Sequence, residues 1–163
     1  MDSIKALTDD DLIKCYGSVI RELRDRQIIR SKNVLGDLGE YIAINHYSST
    51  IGLPKLQLAL TGTQNIDATS INGERYTIKA ITRNVTSVFY GLNPPGSTDT
   101  EQQKFEYVIL LIFDETYTLK RINEITWEKF LKYKKWHSRM KAWNLRVSKE
   151  LLENTRTVYL AHE

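Results

Sequence analysis

Glu40, Asp67 and Lys79 are the side chains whose types and order invite a chemical reading, with Thr77 and Ile78 leading directly into the lysine. Two carboxylates offer the hard oxygen ligands that Mg²⁺ accepts, with waters filling the rest of its octahedron. A cation held this way lowers the pKa of bound water, and a lysine beside it can orient that water or stabilise developing negative charge. Each residue alone has a plainer explanation. An Asp commonly ends a strand before a turn, a strand Lys commonly faces solvent, and a Glu near a helix start answers the dipole. Lys79 carries extra weight because it sits among Tyr76, Ile78, Ala80 and Ile81, a stretch otherwise fit for burial. A buried lysine wants a partner, and Asp67 is the obvious one.

These residues need elements to carry them. Thr8 before Asp9, Asp10 and Asp11 reads as a helix cap followed by acids that favour the positive end of the dipole. Leu12, Ile13, Tyr16, Val19, Ile20 and Leu23 then recur at three-to-four spacing, so one face of this helix is expected to be buried. The opposite face carries Arg21, Arg24 and Arg26, and Cys15 is expected to be a core or semi-buried thiol. A second helix is expected over about 36–46, where Gly36 and Gly39 mark either the helix start or a close approach to a sheet. Residues 66–70 and 75–81 read as strands around Asn72-Gly73, a strong hairpin signal.

The length of that hairpin loop decides which side chains share a face. A two-residue turn pairs Asp67 with Ile78 and sets Asp67 on the face opposite Lys79. A three-residue loop, with Gly73 at positive φ, pairs Ser70 with Glu74 and Asp67 with Thr77. The three-residue loop is the expectation. Beyond it, residues 93–98 hold two prolines and a glycine and read as a loop. Tyr107–Phe113 is continuously apolar, as in a central strand covered on both faces. A strand over 116–122, a helix over 126–133, and a strand or loop over 143–147 follow. The order α-α-β-β-β-β-α indicates an α/β fold, a central mixed β-sheet flanked by helices, in one domain covering 1–163.

Glu40 on a helix, Asp67 on a strand and Thr77-Ile78-Lys79 on the next strand together resemble the PD-(D/E)xK nuclease superfamily of restriction-endonuclease-like domains. The neighbourhood is similar to a family of uncharacterised bacterial domains within it. The matching stretches are Arg21-Glu22-Leu23-Arg24, Gly36-Asp37-Leu38-Gly39-Glu40-Tyr41, Ile66-Asp67-Ala68, Tyr76-Thr77-Ile78-Lys79-Ala80 and residues 107–114, which span most of the chain. The resemblance implies a restriction-endonuclease-like core and a metal-dependent DNA endonuclease, a class that includes restriction enzymes. It implies Mg²⁺ or Mn²⁺ as cofactor, with Asp67, Glu40 and the Ile78 carbonyl as metal ligands. Glu40, Asp67, Thr77 and Lys79 would form the catalytic set, and a homodimer would be the working unit. Thr77 departs from the pattern, which usually has Glu or Asp there. One negative charge fewer means weaker metal binding, so a catalytically silent DNA-binding or protein-interaction module of the same fold is the alternative.

Charge distribution bears on the partner. Net charge is +3, yet residues 120–149 hold ten Lys and Arg against two Glu. Such a lopsided balance suits phosphates, although a charge run also describes an ordinary solvated face. Arg21, Arg24, Arg83, Asn84, Lys132, Lys134, Lys135 and Arg139 are the candidate DNA contacts. Trp127, Trp136 and Trp143 interleave with the cations, either to stack on bases or to plug the core. One cysteine and three scattered histidines exclude a disulfide framework and a structural zinc site of the usual kind. His46 reads as a helix-end residue. No apolar run is long enough for a membrane helix and no apolar signal core follows Met1, so a cytoplasmic location is expected.

Overall fold

A computed structural model describes residues 2–60 and 63–162. Among these the helices are α1 (Asp2–Lys5), α2 (Asp9–Asp25), α3 (Val34–Ser49), α4 (Trp127–Tyr133) and α5 (Lys149–Glu153). The strands are β1 (Leu56–Leu58), β2 (Ala68–Ser70), β3 (Arg75–Ile81), β4 (Tyr107–Phe113), β5 (Leu119–Thr126), β6 (Lys134–His137), β7 (Ala142–Leu145) and β8 (Arg156–Leu160). Six strands form one mixed sheet in the order β1-β2-β3-β4-β5-β8, with β3 and β4 parallel and the other neighbours antiparallel. β6 and β7 form a separate hairpin, bridged at Phe89–Trp143 and Val85–Arg146 to the chain that follows β3.

The apolar β4 run occupies the centre, as its composition demands. Ile109, Leu111 and Phe113 face one layer with Tyr76, Ile78 and Ile122, covered by Ala43 and Tyr47 of α3. Val108 and Leu110 face the other layer with Ile81, Phe89, Phe105, Phe130, Leu145 and Leu151, which brings in α4, β7 and α5. Strand alternation therefore sends Tyr76 and Ile78 toward α3, and Thr77, Lys79 and Ile81 toward the opposite face. The tryptophans are largely structural. Trp127 packs edge-on to Phe105, Trp136 packs against Trp143, and the Trp143 indole N–H donates to the Asn93 carbonyl at 2.8 Å.

Several elements differ from the sequence-based expectation. The short edge strands β1 and β8 carried too few residues to be expected. The strand expected over 116–122 is displaced to Leu119–Thr126, with Thr126 instead capping α4. The ambiguous stretch at 143–147 belongs partly to β7. The largest correction concerns α2. Thr8 caps it as expected, accepting the Asp11 N–H, but none of its residues is buried. Among the described residues, none of its apolar side chains belongs to either core layer.

Gly39 lets α3 approach the sheet closely. A Cβ built there would lie 2.5 Å from the Ala80 Cβ, so only glycine lets α3 seat on β3. Gly39→Ala is expected to cost about 1–3 kcal/mol in chemical denaturation, and the Ala80→Gly change made alongside it to recover part of the loss. Gly17, in mid-α2 with nothing within 4 Å of a built Cβ, is the control. There Ala is expected to be neutral or stabilising by up to about 1 kcal/mol.

Candidate functional site

The hairpin takes the three-residue form. The Ser70 N–H donates to the Glu74 carbonyl at 2.9 Å, Gly73 has φ of 86°, and Ala68 pairs with Tyr76. The ladder ends there, with the Asp67 N–H donating to the Tyr76 carbonyl at 2.8 Å, and the Asp67 side chain meets that of Thr77 on the face that also carries Lys79. β2 ends here while β3 runs on, which leaves the Ile78 N–H without a strand partner. The Asp67 carboxylate takes its place: Oδ2 accepts the Ile78 N–H at 2.6 Å and the Thr77 hydroxyl at 3.1 Å. Thr77, 1% exposed, is therefore a positioning group for Asp67. In an extended strand a residue's N–H and C=O point to the same edge, so the Ile78 carbonyl also faces the Asp67 side. The chain enters Asp67 through Asn65, whose φ of 62° suits asparagine and whose side-chain amide donates to the Tyr90 carbonyl at 2.7 Å.

Glu40 arrives from α3, on the turn beside Gly39. Asn33 caps the helix through the Gly36 N–H, and Asp37 accepts the backbone N–H groups of Arg30 and Ser31. These bonds fix the preceding turn so that the Arg30 guanidinium pairs with the Glu40 carboxylate. Burial and the neighbouring Asp67 charge push the Glu40 carboxyl above its usual range, with Arg30 opposing them. Lys79 donates weakly to the Val88 carbonyl at 3.4 Å, and its ammonium lies 4.7 Å from the Phe89 ring centre. Burial pulls its pKa below the ordinary lysine value, while the charges of Asp67 and Glu40 hold it up. Burial and the Asp67 charge thus both disfavour the Glu40 carboxylate, and a desolvated ammonium lies within electrostatic reach of the two acids.

Asp67 borders two openings. One, of about 200 Å³, is shared with Arg30, Glu40 and Thr63. The other, of about 630 Å³, contains Thr77 and Lys79 and is walled by Tyr90, His137, Met140 and Asn144. Val85 and Asn144 also border a depression of about 440 Å³ that reaches Lys135 and Arg146. The donor set suits a hard cation: two carboxylates and a peptide carbonyl, all oxygen. It supplies fewer charges than a cage built by protein alone. No group of three His, Cys, Asp or Glu able to hold a metal occurs among the described residues. A cation that keeps several waters and shares substrate oxygens is the kind that fits.

The other candidate contacts divide. Lys135, exposed, and Asn84 border the depression that leads from the site. Arg83, Lys132 and Arg139 are exposed but border neither it nor the larger opening. Lys134 is already engaged within the chain: its ammonium pairs with Glu101 at 3.1 Å and lies 4.3 Å from the Trp143 ring centre. Arg21 and Arg24 sit on α2, which borders none of these openings. His46 packs edge-on to Tyr159, away from the site, and Cys15 is half-buried on α2. Sequence reasoning missed Arg30, which belongs to no motif, and Asn144 and Arg146, which lie in or beside a strand it left ambiguous. Asn144 is 9% exposed and borders both the larger opening and the depression beyond it.

No family model matches this chain, and no curated protein shows significant sequence similarity to it.

The burial of Glu40, reinforced by the Asp67 charge, has a measurable consequence in metal-free buffer. Because the folded pKa of Glu40 is raised, stability is full below the ordinary carboxylate pKa and is lost as pH rises through the raised value. Glu40→Gln lacks that loss. Thermal unfolding in EDTA is expected to show the variant level with the native chain at the acid end and increasingly more stable toward neutrality, by about 1 kcal/mol. A variant that is less stable at neutral pH would show that the Arg30 pair outweighs burial and the Asp67 charge.

Proposed function

We propose that this chain is a metal-dependent endonuclease that hydrolyses phosphodiester bonds of DNA on a restriction-endonuclease-like fold. One observation carries the proposal: Asp67 and Lys79, twelve residues apart, share a sheet face and one opening, and Asp67 also borders the smaller opening that Glu40 lines. A structural ion pair alone would account for a lysine buried beside an aspartate. It would not account for a second carboxylate, Glu40, lining the smaller opening that Asp67 also borders.

Asp67 and Glu40 are the groups that would hold Mg²⁺ or Mn²⁺, with the Ile78 carbonyl beside them. The bound cation would polarise a phosphoryl oxygen and lower the pKa of a coordinated water. Thr77 and the Ile78 N–H fix the Asp67 carboxylate so that its second oxygen keeps one orientation. Lys79, with little water around it, presents a strong donor to the attacking water or to a phosphate oxygen where negative charge develops. Lys135 and Arg146 supply cations for the backbone phosphates on the way out of the cavity, and such contacts set affinity without reading sequence. Burial of Glu124 against Tyr47, in a pair with Arg156, removes one of the few acids in the basic stretch from the surface.

A second reading is favoured by Thr77. Its hydroxyl serves Asp67, and the site holds one carboxylate fewer than the superfamily pattern, so the same surface would bind DNA without cutting it. Plasmid nicking separates the two. With Mg²⁺ or Mn²⁺ the native chain is expected to nick supercoiled DNA, and Lys79→Ala and Asp67→Asn each to lose about 10²-fold or more. Equal nicking by native chain and Lys79→Ala would remove Lys79 from the mechanism. Salt-dependent DNA binding without nicking under either metal would establish the silent module.

A further inference from the structure

The strongest unexplained feature outside the site is α2. Its 17 residues make a rod about 25 Å long, and it buries none of them against the rest of the chain. Leu12, Ile13, Tyr16 and Val19 are all exposed, Ile13 at 69% and Tyr16 at 67%, and Ile20 and Leu23 continue the same face at half-burial. Ile4 and Leu7 add exposed apolar surface just ahead of the helix. A contiguous apolar stripe on one helix face is the pattern of a helix that packs against another element. Scattered surface leucines need no such account, but a stripe at three-to-four spacing does.

Charge identifies the occupant. Asp9, Asp10 and Asp11 occupy the first turn of α2, and Arg21, Arg24 and Arg26 lie toward its other end. Internal contacts consume some of these. Asp11 engages Thr8 and Lys14, and Arg26 pairs with Glu22 at 2.7 Å. Asp9, Asp10, Arg21 and Arg24 make no ion pair among the described residues. Helical rotation of about 100° per residue places Asp10, Arg21 and Arg24 on the same flank of the apolar stripe. A two-fold axis across the middle of the helix then sets Asp10 of one copy beside Arg24 of the other, Leu12 opposite Leu23 and Tyr16 opposite Val19. A parallel pairing would instead stack aspartate turn on aspartate turn.

We infer that α2 is a self-complementary interface, the seam at which two copies of this chain pair as an antiparallel helix dimer. A two-fold interface must be complementary to itself, and a stripe with acid at one end and base at the other satisfies that only in the antiparallel sense. The inference is independent of the nuclease reading. It also reassigns Arg24, which meets the partner's acidic turn rather than DNA.

Sedimentation of the full chain at tens of micromolar tests it, with three variants. The native chain is expected at twice its 18.9 kDa mass. Tyr16→Glu is expected to be monomeric and still to unfold cooperatively, since Tyr16 is not part of the core, with a transition that no longer depends on protein concentration. Asp9→Lys with Asp10→Lys and, separately, Arg21→Glu with Arg24→Glu are each expected to weaken the dimer at least tenfold. An equimolar mixture of these two charge-reversed chains is expected to restore it, because each then meets opposite charge at both ends. A monomeric native chain would overturn the inference and leave the stripe to a different protein. A dimer indifferent to Tyr16→Glu, or a mixture that fails to recover pairing, would overturn it equally.

Discussion

The arrangement around the site depends on one carboxylate taking the place of a missing strand. β2 stops at Ala68 while β3 continues, and the Ile78 N–H left at that step is satisfied by Asp67 at 2.6 Å. An unpaired buried N–H would cost about 1–3 kcal/mol, so this bond is a structural requirement as well as a constraint on chemistry. It holds the Asp67 side chain at the point where the two strands part, with the Thr77 hydroxyl on the same oxygen. The three-residue hairpin loop is what makes the bond available. One residue fewer would turn Asp67 to the α3 face and leave Lys79 without a carboxylate on its side of the sheet.

Glu40 reaches the same place by a different device. Gly39 removes the side chain that would hold α3 away from Ala80, and the turn before the helix is fastened by Asp37 to the backbone of Arg30 and Ser31. The result costs stability locally: a carboxylate is partly desolvated near a second acid, and an ammonium is kept short of water. Folded chains retain such arrangements where they serve binding or catalysis, since repacking with neutral groups would be more stable. Arg30 moderates the repulsion from the α3 side. It also occupies Glu40, so a cation arriving between the carboxylates would compete with Arg30 for that oxygen.

Much of this was legible in the sequence, and the parts that were not have physical reasons. Hairpin register could be read because turn length and side-chain alternation are local and the face requirement excluded one loop. The β4 run could be placed centrally because burial on both faces leaves no alternation. The buried side of α2 was misjudged because periodicity reveals that a helix face wants cover, not which chain supplies it. Lys134 looked free because its partner Glu101 lies 33 residues away and no local pattern signals the pair. Arg30 and Asn144 went unnoticed for a related reason: one sits in a loop and the other in a four-residue strand, and three-dimensional proximity alone brings them to the cavities.

Retention of a hard cation between Glu40 and Asp67 is the claim on which the chemistry rests, and Mn²⁺ binding followed by electron paramagnetic resonance tests it without reference to turnover. The native chain should titrate to a saturable site, Asp67→Asn should abolish it, and Glu40→Gln should weaken it while leaving the fold intact. A native chain that fails to take up Mn²⁺ at millimolar concentration, or one whose binding survives Asp67→Asn, would contradict the account.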